Sequence, residues 1–141
     1  NIVEKLEHNV GLVHVYPGMK QEQISFFESN NYKGLVIAAT ALGHVPKNVL
    51  DAVLSLGKKI PVVITTQSLY GRVHPLVYAR LREMSVGGNM FFAEDMMPEV
   101  AYVKLGWVLA QTSKMDDVVA LMKQNVAGEY AGEIDEMSYL N

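Results

Sequence analysis

The sequence predicts an α/β domain of three layers, a parallel sheet of about four strands flanked by helices. Three observations carry that expectation. The short apolar runs Val10–Tyr16, Gly34–Ala39 and Val62–Thr66 are rich in Val, Ile and Leu, and the last two show no alternation in their middles. Unbroken runs of this length suit strands covered on both faces, as in parallel sheets. Their centres lie about 25 residues apart, the spacing of strand–helix–strand units. Helical patterns fill the gaps between them.

In order along the chain, Gln21–Ser29 carries Ile24 and Phe27 three apart, with Asn31 available to end the helix. Lys47–Leu56 sets Val49, Leu50, Val53 and Leu54 on one stripe and Lys47, Asp51 and Ser55 on the other. Gly57 then supplies a stop, with Lys58 and Lys59 at the negative end of the helix dipole. Right-handed crossovers lay such helices back on the sheet, so the first half is a βαβαβ unit. The second half is less regular. Pro75–Met84 predicts a short helix, Val86–Asn89 contains a Gly-Gly turn, and Met90–Phe92 predicts a short fourth strand. Pro98 opens a helix to Gln111, with Asp95 and Glu99 at its positive end. That helix carries Val100, Ala101, Val103, Leu105, Trp107, Val108 and Leu109, against Glu99, Lys104 and Gln111 as strongly polar positions. It is apolar on most sides, so it is buried more than half around or lies in an interface. A last helix, Asp116–Gln124, turns Val118, Val119 and Met122 inward. From Gly128 the chain is polar, acidic and expected to be loosely ordered. The organisation is thus a linker remnant over residues 1–9, a domain over 10–127 and a polar tail over 128–141. Asn1 is not an initiator methionine and residues 1–9 lack signal-peptide features, so the chain reads as part of a longer or processed protein.

Composition narrows the function. The chain has 141 residues, half of them hydrophobic and 19% charged, which excludes disorder. No apolar run approaches the roughly 20 residues a membrane helix needs. A net charge of -3 offers no basic stripe for phosphates, which argues against tight unaided nucleic-acid binding. Without cysteine there are no disulfides, thiolate metal sites or cysteine nucleophile, as suits a reducing cytosol. The turn Tyr16-Pro17-Gly18-Met19 lacks the dinucleotide-binding glycines, and no Walker A, G-x-S-x-G or H-E-x-x-H motif occurs. His8, His14, His44 and His74 are scattered, and no metal set can be argued from them; His14 reads as a hydrogen-bonded structural residue inside a strand. Glu94 and Asp95 are adjacent, so they serve as charge at a helix start rather than as an acid–base pair. Met96 and Met97 read as core or interface filler. Ligands of doubly wound sheets gather beyond the carboxyl ends of the strands. Here those ends are Thr40–Pro46 and Thr65–Arg72, both polar or glycine-bearing for their surroundings. Composition alone leaves binding loops and ordinary loops equally open.

These loops carry a family resemblance. Gly34–Pro46, Thr65-Thr66-Gln67, the Asp95–Lys104 segment and Asn125-Val126-Ala127-Gly128-Glu129 resemble, in order, the C-terminal domain of the bacterial and archaeal L-asparaginase family. Glu94–Leu109 and Tyr70-Gly71-Arg72-Val73 are similar to one branch of it, the D subunits of archaeal glutamyl-tRNA(Gln) amidotransferases. The resemblance implies a Rossmann-like C-terminal domain with no catalytic residue of its own. The threonine nucleophiles and Asp–Lys pair belong to an N-terminal domain absent from this chain. It implies a cytoplasmic, homodimeric glutamine amidohydrolase that passes ammonia to the amidotransferase's E subunit, a kinase that phosphorylates and amidates Glu-tRNA(Gln). ATP and magnesium belong on that kinase partner, no cofactor or metal on this chain, and the tRNA contact falls mainly on the partner. It further implies that Thr40, Leu42, Gly43 and His44 are lent to the active site of the neighbouring subunit, with Thr66, Gln67 and Tyr70 in the second strand-end loop. Secreted asparaginases place an asparagine where Leu42 stands, which removes a polar side chain from that contact; Thr40 or the backbone of Leu42 and Gly43 would take its place. Ser68 stands where some cytoplasmic asparaginases carry a regulatory cysteine. Two alternative readings are a cytoplasmic type I L-asparaginase, acting on asparagine without a tRNA partner, and a non-catalytic interaction domain.

Overall fold

Four strands, β1 (Val10–His14), β2 (Gly34–Ala39), β3 (Val62–Thr66) and β4 (Met90–Phe92), form one parallel sheet in the order β1-β2-β3-β4. The structure is a computed structural model that describes residues 4–40, 45–68, 89–93 and 95–130. Its register sets Val10 beside Gly34, Leu35 beside Val62, and Val62 beside Met90. Every residue of β2 and β3 is buried, which is why their sequences run apolar without alternation. The strand period of two still sorts the side chains between two cores. Leu35, Ile37, Val62 and Ile64 meet Ile24 and Phe27 of α1 (Glu22–Ser29) and Val49, Val53 and Leu56 of α2 (Lys47–Gly57). On the opposite face, Val10, Val36, Val63 and Phe91 meet Ala101, Leu105 and Val108 of α3 (Pro98–Leu109). Val118 and Met122 of α4 (Met115–Lys123) complete that core. The expected three-layer α/β architecture is the one found.

The departures from expectation have local causes. β1 stops at His14 rather than Tyr16, because Gly18 adopts φ +82° and Met19 N–H closes a turn on the Tyr16 carbonyl (3.1 Å). His14 is therefore an exposed strand end rather than a packed interior residue. Asn31 does end the first helical segment, in the left-handed conformation at φ +56° that asparagine tolerates. Gly57 is not the left-handed stop expected of it. It is the last residue of α2, and a Cβ there would come within 3.0 Å of Met90 Cγ, so glycine allows β4 to approach. α3 begins at Pro98 as expected, with Met97 as a cap that makes no side-chain bond, and ends two residues early at Leu109. The expected helix Pro75–Met84 lies outside the described residues.

The segment ahead of β1 packs on α3. Glu7 N–H donates to the Gly106 carbonyl (2.9 Å), and a Cβ on residue 106 would meet the Glu7 carbonyl oxygen at 3.0 Å. Past Ala127, where the polar tail was expected to begin, Tyr130 donates from its hydroxyl to the Met122 carbonyl (2.8 Å). Among the described residues, no helix is long and apolar enough to cross a membrane.

Candidate functional site

At the carboxyl ends of the strands the sequence turns from apolar to hydroxyl- and amide-bearing residues: Thr40 after β2, then Thr65, Thr66, Gln67 and Ser68 at the end of β3. Buried hydroxyls need partners. Thr65 finds one by donating to the Met96 carbonyl, which fixes the chain entering α3 against β3. Thr66, only 3% exposed, accepts from Ser68 N–H (3.1 Å) and so shapes the turn out of the strand. Gln67 extends the ladder, its N–H donating to the Ala39 carbonyl (2.8 Å), while its side-chain nitrogen donates to the carbonyls of Val15 and Ala38 (both 2.7 Å). Thr40 is half-buried at the mouth of the loop after β2. After β1, Tyr16 donates from its hydroxyl to Gln23 Oε1 (2.7 Å), which also accepts Lys20 N–H (3.2 Å) and so ties the β1 turn to α1.

The structure thus brings Thr40, Thr66 and Gln67 to one edge of the sheet. Leu42, Gly43, His44 and Tyr70 lie outside the described residues. The hydroxyls of Thr65 and Thr66 are engaged by backbone groups. Among the described residues no group of three or more His, Asp or Glu side chains could hold a metal ion. At this edge Gln67 and Ser68 are exposed, while Thr65 and Thr66 are buried.

A second polar centre was missed in the sequence. Lys104, one of the three strongly polar positions of α3, is 5% exposed and points inward. Its ammonium lies 2.9 Å from Glu129 Oε1, donates to the Gln124 carbonyl and sits 5.2 Å from the Tyr130 ring centroid. Burial alone would push the Glu129 carboxyl up. The backbone N–H groups of Ala127 and Glu129, with the Lys104 ammonium, outweigh it and bring the group down to about 2. The signal available in the sequence was a single lysine in an otherwise apolar helix, four residues before Val108 and three after Ala101 on its inward stripe.

The outward side of α3 stays apolar. Val103 and, from the segment after α4, Val126 are each 55% exposed, and with Leu6, Val100 and Trp107 they line a groove of about 550 Å³.

Fold and strand-end sequence together define a class. The chain belongs to the glutaminase/asparaginase C-terminal domain family, whose profile matches residues 9–122. Within that class, it is 43% identical over 137 residues to the D subunit of glutamyl-tRNA(Gln) amidotransferase from Methanobrevibacter smithii, covering 96% of this chain and 31% of that protein. The protein of the same name from Pyrococcus horikoshii is 44% identical over 127 residues, 89% of this chain and 29% of that one. The thermostable L-asparaginase from Thermococcus kodakarensis superposes with a TM-score of 0.78 at 30% identity, over 91% of this chain and 39% of that one. The chain therefore spans about a third of the length of the relatives it matches.

Proposed function

We propose that this chain is the C-terminal domain of a glutamine amidohydrolase subunit that supplies ammonia for converting Glu-tRNA(Gln) to Gln-tRNA(Gln). The observation that carries the reading is the 43% identity over 96% of the chain to a protein named as the D subunit of that amidotransferase. The nucleophile and base of hydrolysis then reside in the remaining two-thirds of the protein. The domain's part is to offer its carboxyl edge, with Thr40 and the loop through His44, to the active site of a neighbouring subunit in a homodimer. The exposed apolar side of α3 supports an assembly in which another body covers it, because an uncovered patch of this kind is unusual on a free-standing domain. The amidotransferase's E subunit is the kinase partner that takes the ammonia, holds ATP and magnesium, and makes the main tRNA contact, in keeping with the net charge of -3 here. The setting is cytoplasmic.

The test is an amidation assay. Full-length protein, combined with the kinase partner, ATP, magnesium and Glu-tRNA(Gln), is expected to form Gln-tRNA(Gln) with glutamine as nitrogen donor. Hydrolysis of asparagine with no stimulation by the kinase partner and the charged tRNA would favour the L-asparaginase reading, which the likeness to the Thermococcus kodakarensis enzyme keeps in view. Inertness to both amides would favour an interaction domain.

A further inference from the structure

One side chain ties together the carboxyl ends of three neighbouring strands. Gln67 begins at the end of β3, yet its carboxamide reaches across β2 to the Val15 carbonyl beyond β1, while also bonding the Ala38 carbonyl of β2. Neighbouring strands lie about 4.8 Å apart, so this reach crosses a whole strand. The chemistry is selective: a primary amide carries two N–H donors on one neutral nitrogen, and glutamine is one methylene longer than asparagine. The carbonyls served are backbone groups of buried residues, Val15 at 2% and Ala38 at 0% exposure. Ala38 also accepts Val15 N–H at 3.0 Å, so its carbonyl takes two bonds.

We propose that Gln67 is a positioning residue, whose carboxamide clasps the carboxyl ends of β1 and β2 and thereby sets where Thr40 stands relative to a neighbouring active site. The proposal rests on the amidohydrolase reading above. The β1–β2 ladder already pairs five residues, Val10 to His14 with Gly34 to Ala38, so the sheet does not need this strap to stay together. The strap acts where the chain leaves the sheet, so its loss is felt in substrate geometry before global stability.

The experiment uses the full-length protein with two substitutions. Gln67→Met keeps the length and removes both donors; Gln67→Asn keeps the amide and shortens its reach. For glutamine hydrolysis, each is expected to raise KM about tenfold while kcat stays within about threefold and Tm falls by only a few degrees. An unchanged KM in either folded variant, whether or not Tm falls, overturns the positioning role and leaves Gln67 a structural tie. Gln67→Asn carries the test should Gln67→Met fail to fold. A wild-type protein inert to glutamine overturns the amidohydrolase reading itself, and is seen before any variant is made.

Discussion

Helices α2 and α3 lie on opposite faces of one sheet, and their outward sides differ. α2 turns Val49, Val53 and Leu56 to the core and leaves Lys47, Asp51 and Ser55 exposed. α3 turns Ala101, Leu105 and Val108 to the core but exposes Val100, Tyr102 and Val103. It also holds a largely buried ion pair, Lys104 with Glu129. The outward side of α2 is clothed by polar residues, while the outward side of α3 has apolar surface left over. A helix whose apolar positions exceed one stripe has more surface to hide than a single sheet can cover, and the surplus marks a place for a second body.

The comparison can be broken most forcefully at Lys104. Lys104→Met leaves the largely buried Glu129 carboxylate without its cation, with an expected loss of about 3–5 kcal/mol in urea denaturation. Replacing both partners, Lys104→Met with Glu129→Leu, is expected to recover most of it. Recovery in the double variant shows that the cost lies in the orphaned charge rather than in lost packing.

Next in size is the inner stripe of α3. Leu105→Ala is expected to cost about 2–5 kcal/mol through the cavity it opens between α3 and the sheet. A loss below that range would mean the second core is looser than the first.

Acid sharpens the same contrast through Glu129. Its carboxyl is held at about 2 in the fold, against an ordinary 4.5. The stabilisation is therefore fully present above pH 4.5 and is lost as pH falls towards 2, because the unfolded chain binds the proton first. Glu129→Gln is expected to flatten the stability–pH curve in that window, and denaturation midpoints across it would show this.

The smallest effect is on the outer side. Val103→Ser is expected to change the stability of the isolated domain by no more than about 0.5 kcal/mol. In a dilution series by light scattering, however, the unsubstituted domain should self-associate and bind a hydrophobic dye, and Val103→Glu should reduce both.

Much of this fold was legible in the residues. β2, β3 and β4 have the bounds their apolar runs indicated, because strands buried on both faces leave an unambiguous pattern. Lys47, Pro98 and Ser29 likewise mark helix ends read from sequence. Other features depend on long-range contacts that no local pattern reports. Gly57 looks like a helix stop until Met90 is seen against it. Lys104 looks solvated until residues 124–130 fold over it. Thr66 and Gln67 stand out in the sequence only by their place at the carboxyl end of a buried strand. That Gln67 spans to Val15, 52 residues away, could not be read from spacing.

The central claim is that this domain serves an amidohydrolase whose reacting groups lie elsewhere in the protein. Ammonia release from glutamine, measured side by side for the full-length protein and for this chain alone, tests it most directly. The expected result is turnover by the full-length protein and none above background by the isolated chain. Turnover that survives re-purification of the isolated chain and tracks with it through the column would contradict the account.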